Sequence, residues 1–158
     1  MEAHSPRAAL FDTGLPGAPL VTELRRSGVE RLDLVVITHS SSDHEGGMPA
    51  LLEAMPVGMV LDGRGPGRGQ GGEGGGARYE GLPPKLPRGV PERGQRFQVG
   101  RIAVEILWPP PGEPRRGDPN LTATVAIART ATTSALLTAD AESEVTLPLR
   151  PPEVDILK

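Results

Sequence analysis

A chain of 158 residues can bury one hydrophobic core, yet 21 Gly, 18 Pro and a hydrophobic share of 37% leave it rich in turn-forming material. Phe11, Tyr79, Phe97 and Trp108 are its aromatic residues and it has no cysteine, so ring packing contributes little and any metal must be held by His, Asp or Glu. The net charge of −3 is modest, no apolar stretch approaches the ~20 residues that cross a bilayer, and no signal-peptide core opens the chain, which reads as a soluble piece.

Ala8 to Phe11 is a short apolar run closed by Asp12-Thr13-Gly14, a strand followed by a turn, and Asp12 reads as a turn-former rather than a ligand. Leu20, Val21 and Leu24 have helical spacing with Glu23, Arg25 and Arg26 on the outer face, and Gly28 stops the helix. Leu34 to Ile37 is uninterrupted and β-branched, the pattern of a strand covered on both faces. Pro49 suits the first turn of a helix through Leu51, Leu52 and Met55, after which Val57 to Leu61 can return as a neighbouring parallel strand.

From Gly63 to Gly76 there are nine glycines and no apolar side chain, so this stretch is expected to be a flexible loop that adds little to stability. Pro83, Pro84, Pro87 and Pro91 extend the irregular insertion to about Gln95. Eight Arg or Lys against three Glu lie between Gly63 and Arg101, Arg64, Arg68 and Arg78 among them. Such a basic arm can gather a polyanion such as DNA, or can be a solvated loop with no partner.

Alternation then returns. Phe97, Val99, Ile102, Val104, Ile106 and Trp108 place every second side chain on one face, with Gly100 at the reversal of a hairpin. Leu121 to Ala128 and Ser134 to Ala139 read as a second strand pair around a Thr-rich turn, and Val154 to Leu157 begins one more strand.

The segment with the most chemistry is Thr38-His39-Ser40-Ser41-Ser42-Asp43-His44-Glu45-Gly46-Gly47, directly after the buried run. Two of the three histidines and an aspartate stand where a strand gives way to a helix, which suits a borderline metal such as zinc with one side open to water. Capping by Ser42 or Asp43 would explain the Asp/Ser content but needs neither histidine. His4, in the N-terminal tail, receives no role.

This segment resembles the His-x-His-x-Asp-His…Gly-Gly signature of the metallo-β-lactamase superfamily, with His39, Asp43 and His44 in place and Ser41 where the second histidine would stand. It looks most like the hydrolase-like domain of ComEC-type competence proteins, whose Leu-Ile-Asp-Thr-Gly and Leu-Leu-Thr-Gly-Asp segments are similar to Leu10–Gly14 and Leu136–Asp140. The resemblance implies an α/β (α+β) αββα sandwich, here over residues 1–158 as a partial domain truncated at both ends, with the insertion at about 63–95. The Val154–Lys158 strand would be followed in that branch by a His-His-Gly-Ser segment, so a marginal, aggregation-prone chain is expected.

It also implies a ligand set. His39 would hold a first metal, Asp43 and His44 a second, and Asp140 would bridge them, with Asp43 catalytic in orienting a metal-bound hydroxide; Asp140 as a helix N-cap is the competing reading. The implied metal is zinc, with manganese as the alternative, bound weakly at one site at most. The implied function is a metal-dependent hydrolase, a possible nuclease acting on DNA phosphodiesters during uptake, with the fragment itself inactive. The implied partners are DNA and the membrane channel portion of a bacterial inner-membrane parent; the alternative is a non-catalytic DNA-binding or structural module.

Overall fold

The computed structural model describes residues 6–64, 83–115 and 117–158. Most of the glycine-rich stretch, including Arg68 and Arg78, lies outside the described residues.

Four parallel strands make the first sheet, in the order β1 (Ala9–Phe11), β2 (Leu34–Ile37), β3 (Val60–Asp62) and β4 (Arg88–Gly89). Five strands make the second, β5 (Arg96–Val99), β6 (Ile102–Trp108), β7 (Val125–Arg129), β8 (Ser134–Leu137) and β9 (Ile156–Leu157), antiparallel except for the parallel β8–β9 pair.

Three apolar layers explain how these sheets stack. In β2 the period of two sends Val35 and Ile37 to one side and Leu34 and Val36 to the other, and all four are buried. Val35 and Ile37 pack with Met48 and Leu51 of helix α3 (Met48–Ala54) and with Leu20, Val21 and Leu24 of α1 (Leu20–Arg26). Leu34, Val36 and Leu61 meet Val99, Val104, Ile106 and Ala126 of the second sheet. The outer face of that sheet, Val125, Ile127 and Leu136, is closed by Val145 and Leu149 of helix α4 (Ser143–Leu149). The result is the helix, sheet, sheet, helix sandwich expected, with both sheets contributing to the central layer.

Several element boundaries differ from the sequence reading. Strand β3 begins at Val60; Val57 makes only an isolated bridge to Leu32. The irregular region before Gln95 contains β4, which completes the parallel sheet. Leu121 does not enter a strand. Pro119–Thr122 forms a 3₁₀ turn whose start is capped by the Asp118 carboxylate accepting from the Asn120 N–H, and the strand starts at Val125. Asp140 does not cap α4, because the helix starts three residues later with Glu142 at its N-cap. That leaves the Asp140 carboxylate available elsewhere.

Candidate metal centre

The first sheet delivers its catalytic-looking residues at the carboxyl ends of β1 and β2. Parallel register pairs Phe11 with Val36, so Asp12, one residue on, and Thr38, two residues on, meet just beyond the sheet. Asp12 takes φ 62°, a left-handed turn that aspartate tolerates, and its carboxylate accepts from the Thr38 N–H at 2.8 Å and the Thr38 hydroxyl at 2.8 Å. It is therefore the turn-former expected, and something more, because His44 Nδ1 lies 2.7 Å from Asp12 Oδ2.

Ser41 starts the one-turn helix α2 (Ser42–Glu45) as its N-cap, without a side-chain capping bond. The Ser41 hydroxyl instead donates to the Asp43 carboxylate. Gly46 and Gly47 close the loop for a steric reason: a Cβ on Gly47 would overlap the Thr13 carbonyl, and one on Gly46 would overlap Pro16. The Asp12–Gly14 turn is stitched to this loop by Thr13 N–H to the His44 carbonyl at 2.6 Å and Gly47 N–H to the Gly14 carbonyl at 2.9 Å.

These restraints aim both imidazoles. His39 is buried, with 2% of its side chain exposed, and its Nδ1 lies 3.0 Å from the Thr38 hydroxyl oxygen. The single Thr38 proton serves Asp12, so His39 Nδ1 is the donor in that contact and Nε2 keeps its lone pair. His44 donates from Nδ1 to Asp12, which presents its Nε2 in the same way. The ring centroids are 4.2 Å apart.

The second sheet supplies the third group. Ala139, at φ 50°, turns the chain after β8 and brings Asp140 Oδ1 to 3.3 Å from His44 Nε2 and Oδ2 to 3.7 Å from His39 Nε2. Asp140 is about a hundred residues from the histidines in sequence and in contact range of both. His39, His44 and Asp140 offer one ligand atom each within 4.8 Å of one another. Asp43 is at the rim, 57% exposed, with Oδ2 3.7 Å from His44 Nε2, and it lines the adjacent cleft without joining that trio.

The surroundings set the charge states. Burial, and then the nearby His44, push His39 down, so it stays neutral in the physiological range. Burial alone would lower His44 as well, but the hydrogen bond it donates to Asp12 and the charges of Asp12, Asp140 and Asp43 outweigh it and raise the net value. Asp43 is held below the usual carboxylate range by the Ser41 hydroxyl and a backbone N–H.

Arg64 stands apart from the other basic residues of its segment. It is buried, with its guanidinium 2.7 Å from Glu45 Oε2 and 3.0 Å from Asp62 Oδ1. Its guanidinium is thus engaged inside the fold with Glu45 of the motif, whose carboxyl burial raises despite the Arg64 charge.

The model for the metallo-beta-lactamase superfamily matches residues 4–156. The chain belongs to that superfamily. A stretch of 48 residues is 46% identical to "Competence protein ComA" of Neisseria gonorrhoeae, over 28% of this chain and 7% of that protein. Among solved structures, the Cronobacter sakazakii metallo-beta-lactamase with a HARLDQ motif superposes with a TM-score of 0.55 at 14% identity, over 90% of this chain and 52% of its own. MEM-A1, a subclass B3 enzyme from a soil metagenome library, gives 0.53 at 23% identity, over 86% and 53%. Zn(2+)-bound PqqB from Methylobacterium extorquens gives 0.50 at 12%, over 87% and 50%. At these identities the structures establish the superfamily fold, and this chain spans about half the length of each. Among the described residues no helix is long and apolar enough to cross a membrane.

Sequence reasoning picked out His39, Asp43, His44 and Asp140 and passed over the side-chain role of Asp12 and Thr38. These were signalled by an Asp and a Thr at the ends of two apolar runs; their proximity required the strand pairing.

Proposed function

We propose that this chain is a metal-dependent hydrolase domain that holds zinc on His39 Nε2, His44 Nε2 and Asp140 and acts on DNA phosphodiesters within a competence protein. The convergence of these three groups from two different sheets carries the reading. Donors ~2.0–2.2 Å from one tetrahedral zinc stand roughly 3.3–3.6 Å apart. The observed separations of 3.3 and 3.7 Å fit that donor set, and two imidazoles favour zinc over manganese.

Bound there, zinc would lower the pKa of a water toward ~7 and polarise an ester oxygen. The chain's own residues do the rest. Asp12 and Thr38 fix the imidazole tautomers, so no reorganisation is needed to present both lone pairs. Asp43, kept ionised at the rim by Ser41, is suited to orienting a water by accepting its hydrogen bond. With Ser41 supplying a hydroxyl in place of an imidazole, the set serves one ion, and this chain by itself is expected to be inactive. The competence assignment is supported by the 48-residue likeness to ComA. The alternative, a metal-free DNA-binding module using the basic segment, loses Arg64 to its internal ion pairs.

The test is zinc titration against a competing chelator. One equivalent per chain is expected, with Asp140→Ala and His39→Ala each weakening uptake by at least about 100-fold. No uptake, or uptake indifferent to both substitutions, would remove the hydrolase reading in favour of the module.

A further inference from the structure

A cleft of about 320 Å³ opens at the metal-ligand cluster, with polar and apolar residues in its lining. Its lining combines the polar side chains of Asp12, Thr38, Asp43, His44 and Asp140 with the apolar Phe11, Leu137 and Ala139. Among the described residues, Lys158 is the only Lys or Arg lining it. Its backbone is anchored as a continuation of the β8–β9 pairing: its N–H donates to the Leu136 carbonyl at 2.9 Å, and its carbonyl accepts from the Thr138 N–H at 2.8 Å and the Thr138 hydroxyl at 3.1 Å. The root of the side chain is thus tied beside the turn that carries Asp140. Among the described residues its ammonium has no ion-pair partner, although three carboxylates line the same cleft.

We infer that Lys158 is the anion-binding residue of a substrate subsite, taking a phosphoryl oxygen of a single nucleotide unit whose base lies against Phe11, Leu137 and Ala139. The volume is at the small end of ligand pockets, enough for one nucleotide and not for a folded oligomer. A cleft with three carboxylates disfavours an anionic ester unless a fixed cation meets it, and an ammonium on a flexible stem is a compact donor for phosphate. The apolar residues of the lining give a planar base surface to cover, independent of its sequence identity. This subsite deepens the hydrolase reading by naming its substrate class, but the binding it describes does not require metal.

Calorimetric titration of thymidine 5′-monophosphate and of thymidine into the full chain tests it, once with zinc and once in EDTA, alongside the zinc affinity of each variant. Lys158→Ala should weaken the monophosphate about five- to tenfold in both media, leave thymidine and zinc affinities unchanged, and be largely rescued by Lys158→Arg. Equal monophosphate binding by wild type and Lys158→Ala overturns the inference, even if zinc uptake stands. Lys158-dependent binding in EDTA without any zinc uptake would retain the subsite while removing the hydrolase reading.

Discussion

The two sheets contribute to the site in different ways. From the parallel sheet come Asp12, Thr38, His39 and His44, each tied by at least one short hydrogen bond, with His39 almost fully buried. From the second sheet comes Asp140, presented by the turn after β8, with its side chain 45% exposed and Lys158 held nearby by its backbone bonds to Leu136 and Thr138. One half is preorganised before any ligand arrives; the other is presented at the open side. A site divided in this way keeps its ligand geometry in the core of one layer and leaves exchange with solvent to the other.

The sharpest way to break the preorganised half is Gly47→Ala. The added methyl would overlap the Thr13 carbonyl, so the Asp12–Gly14 turn and the motif loop must separate. We expect a loss of about 2–3 kcal/mol in denaturant unfolding. A change below about 0.5 kcal/mol would show that the loop yields and is not pinned.

Asp12→Asn probes the same half with less damage to packing. It should weaken zinc about 10–100-fold and move the pH profile of uptake. Zinc needs His44 neutral, and the carboxylates raise its net proton affinity in the folded chain, so uptake should weaken as pH falls through that elevated value. In the metal-free chain the same raised value stabilises folding fully below the unfolded pKa of ~6.5, and this contribution fades as pH rises through the folded value. His39, lowered by burial, acts in the opposite sense, costing stability as pH falls below ~6.5. Asp12→Asn removes the charge holding the His44 proton, so the uptake window should shift to lower pH. A pH profile that does not move would separate Asp12 from His44 functionally.

On the exposed half, Ala139→Gly should have the smallest effect. Ala139 adopts φ 50°, where a Cβ costs roughly 1 kcal/mol and glycine pays only chain entropy. The net expectation is neutral to about 0.5–1 kcal/mol stabilising by thermal or denaturant melting, with zinc affinity retained. Clear destabilisation would mean that the lost contacts of the Ala139 methyl in the cleft lining outweigh the strain of its turn.

Much of this was legible in the amino-acid order. The unbroken Leu34–Ile37 run reads directly as a doubly covered strand because neither face carries a polar side chain. Alternation from Phe97 to Trp108 reads as a hairpin for the same reason of period. The His39–Gly47 motif marks a ligand-bearing turn, and its paired glycines prove to be the close approach to Thr13 and Pro16. Boundaries were less legible where local side chains compete with the ladder, as Asp118 does in drawing Pro119–Thr122 into a 3₁₀ turn.

Local order by itself therefore determined the longer strands, the helices over the first sheet and the residue types that can hold a metal. Which of those residues meet was decided only by tertiary structure, since side-chain distance depends on strand register and on how the sheets stack. Register set Asp12 beside Thr38 and turned a loop aspartate into the group that orients His44. Sheet stacking brought Asp140 to both imidazoles across about a hundred residues, left Asp43 at the rim, drew Arg64 into the interior against Glu45, and put Lys158 in the cleft. None of these follows from spacing along the chain, because no local period couples residues that far apart.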